Sequence, residues 1–251
     1  MSNKKNHWNQ IIQSEPKALS RVGNIIKITG KILKENNQRL VFSEIKSVKI
    51  GDQIWTTENL NVDRFSNGDF IPEARTYEEW EMACREGKPA WCFNEYDPNN
   101  EELYGRLYNW FAITDPRGLT PMGWHIPTED EWRILINFLG GQRVAGKKMK
   151  NAYGWDFLRR ILFKQSNFVD SGTNESGLMI LPGGARLENG HFFPVGSSAN
   201  FWISSFNPDV GVWNIYLGPG TDIVFFHGKN LSENAESYKE EGFSIRCIKD
   251  F

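Results

Sequence analysis

The chain has 251 residues, of which 39% are hydrophobic and 24% are charged, and its net charge is -2. This composition is typical of a globular protein with enough length for one sizeable core. The near-neutral charge argues against nucleic acid as the main partner, because phosphate binding requires a basic face, and no run of residues approaches the roughly 18 consecutive apolar positions of a membrane span.

The first predicted elements form a basic N-terminal segment, residues 1–47. Residues 3–20 predict a short helix that Pro16 interrupts, and apolar residues alternate on both sides of an Asn-rich turn within residues 24–45, as in a β-hairpin. Residues 1–50 contain ten Lys and Arg against three Asp and Glu, so they carry +7 and the remaining chain carries -9. We interpret the basic residues as a solvated hairpin face, with binding of nucleic acid or of an acidic neighbour as the alternative. Such a segment is too small to fold alone and must pack on the main domain or on another subunit.

The start of the chain is polar and lacks the apolar core of a secretory signal. We therefore expect synthesis in the cytoplasm, and export by a non-classical route or on a particle stays open. The three cysteines, Cys84, Cys92 and Cys247, have no metal-type spacing. Reduced thiols are the expectation without an export signal, although Cys84 and Cys92 could pair in an oxidising compartment.

Two helix starts follow the N-terminal segment. Thr76 with Glu79 and Thr128 with Glu131 both have the Thr-x-x-Glu spacing of a capping box, in which the hydroxyl and the carboxylate satisfy free N–H groups of the first turn. The second helix is expected to stop at Gly140-Gly141. Its apolar residues recur at helical spacing and predict a buried face: Trp132, Leu135, Ile136 and Leu139.

The rest of the chain predicts short strands between long loops. The turn signals are Pro182–Gly184 and Gly218–Gly220. The predicted strands are Leu178–Leu181, His191–Val195, Phe201–Ser204, Val212–Leu217, Ile223–Phe226 and Phe243–Ile248. Strands this short with loops this long do not predict a regular sandwich.

Six sequence blocks carry a resemblance to a known family. In chain order they are Val48–Trp55, Tyr104–Trp110, Gly123–Trp132, Leu181–Arg186, Phe201–Ser205 and Gly242–Ile248. Together they resemble the Fibrobacter succinogenes major paralogous domain, found in Bacteroidetes-type bacteria, and predict a domain over residues 48–251. That family is similar to the formylglycine-generating-enzyme and C-type-lectin superfamily. The resemblance implies an α+β, C-type-lectin-like fold with two helices, small antiparallel sheets and long loops, in which the two ends of the domain lie together.

The enzymes of that superfamily imply one catalytic alternative. They oxidise a substrate cysteine with oxygen and use a copper ion held by two of their own thiolates, the soft ligands that monovalent copper requires. Here only Cys247 lies late in the chain, inside the closing motif Gly242–Cys247, and no second cysteine is near it in sequence. A formylglycine-type copper oxidase is therefore disfavoured.

Other constellations give no catalytic residue, metal ligand or cofactor. We expect a structural hydrogen bond from the His125 ring to nearby backbone rather than general-base catalysis. Asn207–Asp209 followed by Val212–Asn214 superficially resembles the calcium-binding pattern of lectins, but two of the carboxylate ligands in that pattern are missing. Calcium requires six or more oxygen ligands, so no metal site is predicted.

A binding surface remains, and the resemblance places it on the late strands and their loops. The candidate ligand-binding residues are Trp202, Ser204, Trp213, Asn214 and Tyr216. Aromatic rings beside Asn and Ser offer stacking and hydrogen bonds to sugars or protein surfaces. For Trp202 we favour a core position, whereas Ser204, Asn214 and Tyr216 are expected at the surface. Loop residues 218–220 and 230–234 are expected to tolerate change without disturbing the core.

These observations predict a non-catalytic recognition module that binds a protein or a glycan ligand. The alternative is a structural component of a phage or injection-system appendage. Such a component would dock through residues 1–47, which could also form a homo-oligomer or a larger assembly.

Overall fold

The computed structural model describes residues 45–155, 172–207, 211–228 and 239–250. The chain divides into two units, Met1–Ile45 and Lys46–Phe251. The predicted N-terminal helix and hairpin and the loop 230–234 lie outside the described residues. Within them, no helix combines the length and the apolar character needed to cross a membrane.

The described part of Lys46–Phe251 is an α+β fold with small antiparallel sheets and few helices, which confirms the predicted class at that level. The helices are α1 Tyr77–Arg85, α2 Glu101–Tyr104, α3 Trp110–Ile113, α4 Glu129–Phe138 and α5 Ala145–Met149. The early strands are β1 Ser47–Ile50, β2 Gln53–Thr56, β3 Trp91–Cys92, β4 Leu107–Tyr108 and β5 Trp124–His125. The late strands are β6 Ala185–Arg186, β7 Phe192–Phe193, β8 Ala199–Asn207, β9 Gly211–Leu217, β10 Val224–Gly228 and β11 Ile248–Lys249.

One four-stranded sheet joins the two ends of the domain in the order β1-β2-β11-β5. Trp55 of β2 pairs with Ile248 of β11, and Ile248 also pairs with His125 of β5, both antiparallel. The backbone N–H of Thr56 donates to the carbonyl of Cys247 at 2.9 Å. The first hairpin and the last strand of the domain therefore lie side by side, as expected.

The two longer helices begin where the capping boxes place them, but only one box is complete. In α4, Thr128 Oγ1 accepts from the N–H of Glu131, and the Glu131 carboxylate accepts from the N–H of Thr128. In α1, Thr76 caps the N–H of Glu79, but the Glu79 carboxylate accepts from the N–H of Arg75 at 2.6 Å instead of closing the box. The expectation of a second full box was therefore wrong.

The predicted apolar face of α4 is confirmed. Trp132, Leu135, Ile136 and Leu139 are buried. The helix ends at Phe138, and the two residues after its cap, Gly140 and Gly141, have φ values of 105° and 97°. Glycine adopts this backbone conformation without the steric cost that a Cβ would add.

The indole N–H groups of several tryptophans form hydrogen bonds between segments that are distant in sequence. Trp80 donates to the carbonyl of Glu240 at 2.7 Å, and Trp91 donates to that of Ile71 at 2.9 Å. Each ring fills a core, and the hydrogen bond fixes the irregular backbone at its edge. Long loops thereby gain defined positions without a continuous ladder of strands.

Two buried cations, Arg246 and Lys150, also fix irregular backbone through hydrogen bonds to carbonyl groups. Arg246 donates to the carbonyls of Thr56 and Leu178, both at 2.9 Å, and to Asn59 Oδ1 at 2.8 Å. Burial lowers the pKa of Arg246 to about 9, so the guanidinium stays protonated at neutral pH. Lys150 performs the corresponding role for the loop after β9.

Two predicted strands are mostly irregular. Residues 178–181 make only an isolated bridge at Ile180, and Met179 has a φ of 56°, which no regular strand accommodates. In the stretch 243–248 only Ile248 belongs to a strand, because Phe243 and Ser244 bridge to different partners, Tyr108 and Phe201, instead of following one ladder. These two strand predictions were wrong because alternating apolar residues do not show whether a single neighbouring strand pairs with the whole segment.

Candidate functional site

The candidate residues lie on the three-stranded sheet β10-β9-β8. Trp202 pairs with Asn214, Asn214 pairs with His227, and Tyr216 pairs with Phe225. Since directly paired residues and alternate residues share a face, one side of the sheet carries a single set of side chains, which we term the late-strand face. Its members are Asn200, Trp202, Ser204, Asn214, Tyr216, Phe225 and His227.

The β8 end of the late-strand face is covered by the rest of the domain. Trp202 is fully buried, and its ring centroid lies 4.5 Å from that of Phe243 and 5.6 Å from that of Trp110. Its indole N–H donates to the carbonyl of Tyr108 at 2.6 Å. Trp202 is a core residue, which confirms the position favoured from the sequence, and its ring is not exposed to a ligand.

Asn214 is also buried, with 1% of its surface exposed, so the prediction of a surface position was wrong. Its side-chain amide donates to Asn200 Oδ1 at 3.4 Å, and the amide of Asn200 donates to Ser198 Oγ at 2.9 Å. Trp202 pairs with Asn214 on the adjacent strand β8. The part of the domain that covers Trp202 also shields Asn214 from solvent. The backbone of Trp213 lies in β9, and its side chain is outside the described set.

Ser204 is exposed as predicted, but its polar groups are occupied by backbone. Its hydroxyl donates to the carbonyl of Ile126 at 2.8 Å, and its N–H donates to the carbonyl of Pro127 at 2.9 Å. The adjacent Ser205 hydroxyl accepts from the N–H of Glu129 at 2.8 Å. Ser204 and Ser205 therefore hold the segment that leads into α4.

The open part of the late-strand face is an aromatic cluster of Tyr216, Phe225 and His227. The rings of Tyr216 and His227 are stacked, with centroids 5.2 Å apart and an interplanar angle of 12°, and Phe225 lies 5.9 Å from each of them. Tyr216 and Phe225 are half-buried and His227 is exposed. Burial raises the pKa of Tyr216 and lowers that of His227, so both side chains are neutral at pH 7. Neutral stacked rings form a platform for a planar or apolar group.

Phe225 and His227 were missed as site residues. For Phe225 the signal was available, because it lies in the predicted strand 223–226 and alternate residues of a strand face the same side. His227 lies one residue beyond the predicted end of that strand, and β10 extends to Gly228. Among the predicted residues whose side chains the structure describes, Tyr216 alone joins the cluster.

The buried side chain of Lys150 fixes the loop that follows β9. The buried ammonium of Lys150 donates to the carbonyls of Gly218 and Thr221, both at 2.7 Å, and lies 4.6 Å from the ring centroid of Trp155. A Cβ placed on Gly218 would lie 2.6 Å from Tyr216 Oη. A side chain at Gly218 would therefore have to displace the Tyr216 ring. That residues 218–220 tolerate change without disturbing the core stays a prediction.

Comparison with known families decides where the chain belongs. Residues 48–249 match the Fibrobacter succinogenes major domain. The chain is a member of this family. No curated protein and no solved structure is significantly similar to it.

In this Fibrobacter succinogenes major domain, the block 123–132 places His125 between two carboxylates. His125 Nδ1 lies 2.6 Å from Asp250 Oδ1, and Nε2 lies 2.8 Å from Glu131 Oε1. Burial opposes the charged imidazole, but the hydrogen bonds to Asp250 and Glu131 outweigh it, and the pKa of His125 is raised. The expected backbone hydrogen bond was wrong in its partner, because the ring connects the capping box of α4 to the residue after β11.

The three thiols of the Fibrobacter succinogenes major domain are free and buried. Burial raises the pKa of Cys84 to about 11 and that of Cys247 to about 12, and the pKa of Cys92 is raised further. Cys84 and Cys92 lie in one apolar cluster around Trp80, without a disulfide between them. In the part of the chain that the structure describes, no three His, Cys, Asp or Glu side chains converge as a metal-binding group.

Proposed function

We propose that the domain is a non-catalytic recognition module with a C-type-lectin-like fold, which binds a protein or glycan ligand through the open part of the late-strand face. The fold part of the proposal is supported by the few helices, the small antiparallel sheets and the adjacent ends of the domain. Its functional part depends on one observation, the solvent-facing cluster of Tyr216, Phe225 and His227.

The cluster has the properties of a recognition surface because its rings are held before any ligand arrives. Tyr216 packs over Gly218, whose carbonyl is bound by the buried Lys150. A ring that is already fixed loses little conformational entropy on binding, which favours affinity. Aromatic side chains with a polar tip are also enriched where proteins contact other surfaces.

The chemistry of the described nucleophiles and bases supports a role without catalysis. The thiols are buried, and their raised pKa values keep them protonated at neutral pH, whereas the thiolate is the nucleophile and the metal ligand. The two ring nitrogens of His125 are both hydrogen-bonded to carboxylates. Neither nitrogen is available to take a proton from a substrate.

The test is a glycan and surface-protein binding screen with the whole chain, repeated with Tyr216→Ala and His227→Ala. Tyr153→Ala is the matched control, because Tyr153 is 78% exposed and lies outside the late-strand face. We expect both cluster variants to lose at least about tenfold in affinity, the order of one lost aromatic contact, with unchanged melting temperature. Binding that survives both substitutions would remove the late-strand face from the function.

We also propose an assembly role as the second candidate, because the charge division along the chain favours it. Residues 1–50 carry +7 and the remaining residues carry -9, so opposite charges could join different copies or different proteins. The test is light scattering of the full chain against a chain that begins at Lys46. A multimer that disappears on this deletion supports assembly, and a monomer in both cases contradicts assembly with other copies.

A further inference from the structure

A separate cleft lies beside the β3-β4 ribbon, and it shares no lining residue with the sheet β10-β9-β8. Its volume is about 530 Å³, within the range of roughly 300–1,000 Å³ typical of small-molecule sites. It is lined by the aromatic residues Trp91, Phe93 and Tyr96 and by charged residues of both signs. None of these residues belongs to the late-strand face.

The two arginines that line the cleft are already paired with carboxylates, so little positive charge is available to bind an anion. Arg75 is paired with Glu73 at 2.8 Å, and Arg106 is paired with Glu101 at 3.0 Å. Asp63 is the remaining charged residue of the lining. A negatively charged ligand would have to displace one of these carboxylates, whereas a hydroxyl group can donate to a carboxylate and accept from a guanidinium at the same time.

At the floor of the cleft, Trp91 and Phe93 are buried, 5% and 7% exposed, and the guanidinium of Arg106 lies over their rings. The guanidinium carbon of Arg106 lies 4.2 Å from the ring centroid of Trp91 and 5.5 Å from that of Phe93. Arg106 is only 9% exposed, and its buried Nε has no hydrogen-bond partner among the described residues. A buried donor without an acceptor is costly, so a ligand oxygen that reaches the guanidinium is favoured over an apolar group.

The walls of the cleft are fixed by backbone pairing. Glu73 bridges to Trp91, the N–H of Trp91 donates to Pro72, and the N–H of Ala74 donates back to Trp91. Glu95 and Tyr96 both have a φ of 53°, a left-handed conformation that is unfavourable for residues other than glycine. Tyr96 lines the cleft, and its ring is held by an edge-on contact with Phe192 and by the hydrogen bond that its hydroxyl accepts from Arg186.

We propose that this cleft binds a saccharide that carries no negative charge. The apolar face of a sugar ring can pack on the half-buried Tyr96, and its hydroxyls can donate to the carboxylates of Asp63 and Glu73 and accept from the guanidinium of Arg106. The site is independent of the proposed late-strand surface, and either can fail without the other.

The experiment is calorimetric titration of the whole chain with the methyl glycosides of glucose, galactose, mannose and N-acetylglucosamine, and with cellobiose and chitobiose. For the tightest hexose, the corresponding uronic acid is the matched ligand, since it differs only in a carboxylate. Asp63→Asn and Glu73→Gln are the test variants. Glu81→Gln is the control, because Glu81 is exposed on α1 and does not line the cleft.

We expect at least one neutral sugar to bind, the uronic acid to bind at least about tenfold more weakly, and each test variant to lose about tenfold in affinity, the order expected for one hydrogen bond to a charged group. Tyr216→Ala should leave this binding unchanged, which separates the cleft from the late-strand surface. The proposal is overturned if no sugar binds at tens of millimolar, if the uronic acid binds as tightly as the neutral sugar, or if both test variants bind like the control while keeping the wild-type melting temperature.

Discussion

The ammonium of Lys150 donates to the carbonyl of Gly218 at 2.7 Å, although the two residues are 68 positions apart in sequence. This bond anchors the loop over which Tyr216 packs. The position of the aromatic cluster therefore depends on a buried charge that belongs to a different part of the chain.

Lys150→Met should destabilise the fold by about 3–5 kcal/mol, because it leaves the carbonyls of Gly218 and Thr221 without their charged donor in a buried site. Urea unfolding measures the change. Lys147→Met is the control, since Lys147 is exposed on α5, the helix that Lys150 directly follows, and should change the free energy of unfolding by less than about 0.5 kcal/mol. Equal effects of the two substitutions would contradict the anchoring role of Lys150.

Gly218→Ala should displace the Tyr216 ring, because the added Cβ would lie 2.6 Å from Tyr216 Oη. Solvent would then reach His227, whose pKa is lowered by burial. We expect the pKa of His227 to rise toward its ordinary value of 6.5, as followed by NMR titration of the imidazole. An unchanged His227 titration would show that Tyr216 does not shield this ring.

The contribution of His125 to stability should be largest at acidic pH. Folding raises the pKa of His125 above its ordinary value of 6.5, so the protonated ring stabilises the folded state below that value, and this stabilisation is lost as the pH rises through the folded pKa. Urea unfolding of wild type and His125→Gln at about pH 5.5 and about pH 8.5 should give the larger gap at the lower pH. Because the side chain is 37% exposed, we expect the pH-dependent part to stay below about 1 kcal/mol. A gap that grows with pH would contradict this assignment.

The three cysteines should resist thiol reagents in the folded protein. Each is buried, and the raised pKa values of Cys84 and Cys247 leave almost no thiolate near pH 8. We expect negligible labelling by a chromogenic disulfide reagent in buffer and labelling of all three thiols in urea. Rapid labelling of Cys84 without denaturant would mean that the cluster around Trp80 opens locally.

Much of the scaffold was predictable because local rules decide it. The capping signals at Thr76 and Thr128 mark both longer helices, and the spacing from Trp132 to Leu139 gives the buried side of α4. The late strands β9 and β10 were predicted within two residues of their ends, since alternation of apolar residues is a local property.

The site was less predictable because exposure depends on which layer covers a face. Alternation correctly puts Trp202, Asn214 and Tyr216 on one side of the sheet, but only the packing of Tyr108, Trp110 and Phe243 shows that Trp202 and Asn214 are covered and Tyr216 is not. The cleft near Arg106 had no periodic signal, because its lining comes from loops and short strands between residues 63 and 106.

The sheet order β1-β2-β11-β5 also determines how the domain bears tension. Both β1 and β11 are antiparallel to β2, so β1 and β11 run in the same direction. Residue 46 precedes the start of β1 and residue 250 follows the end of β11, so the two residues lie at opposite ends of the sheet along the strand direction. A pull between residues 46 and 250 therefore acts along the strands, in the shear direction. The cross-strand hydrogen bonds then share the load and do not open one after another as in unzipping.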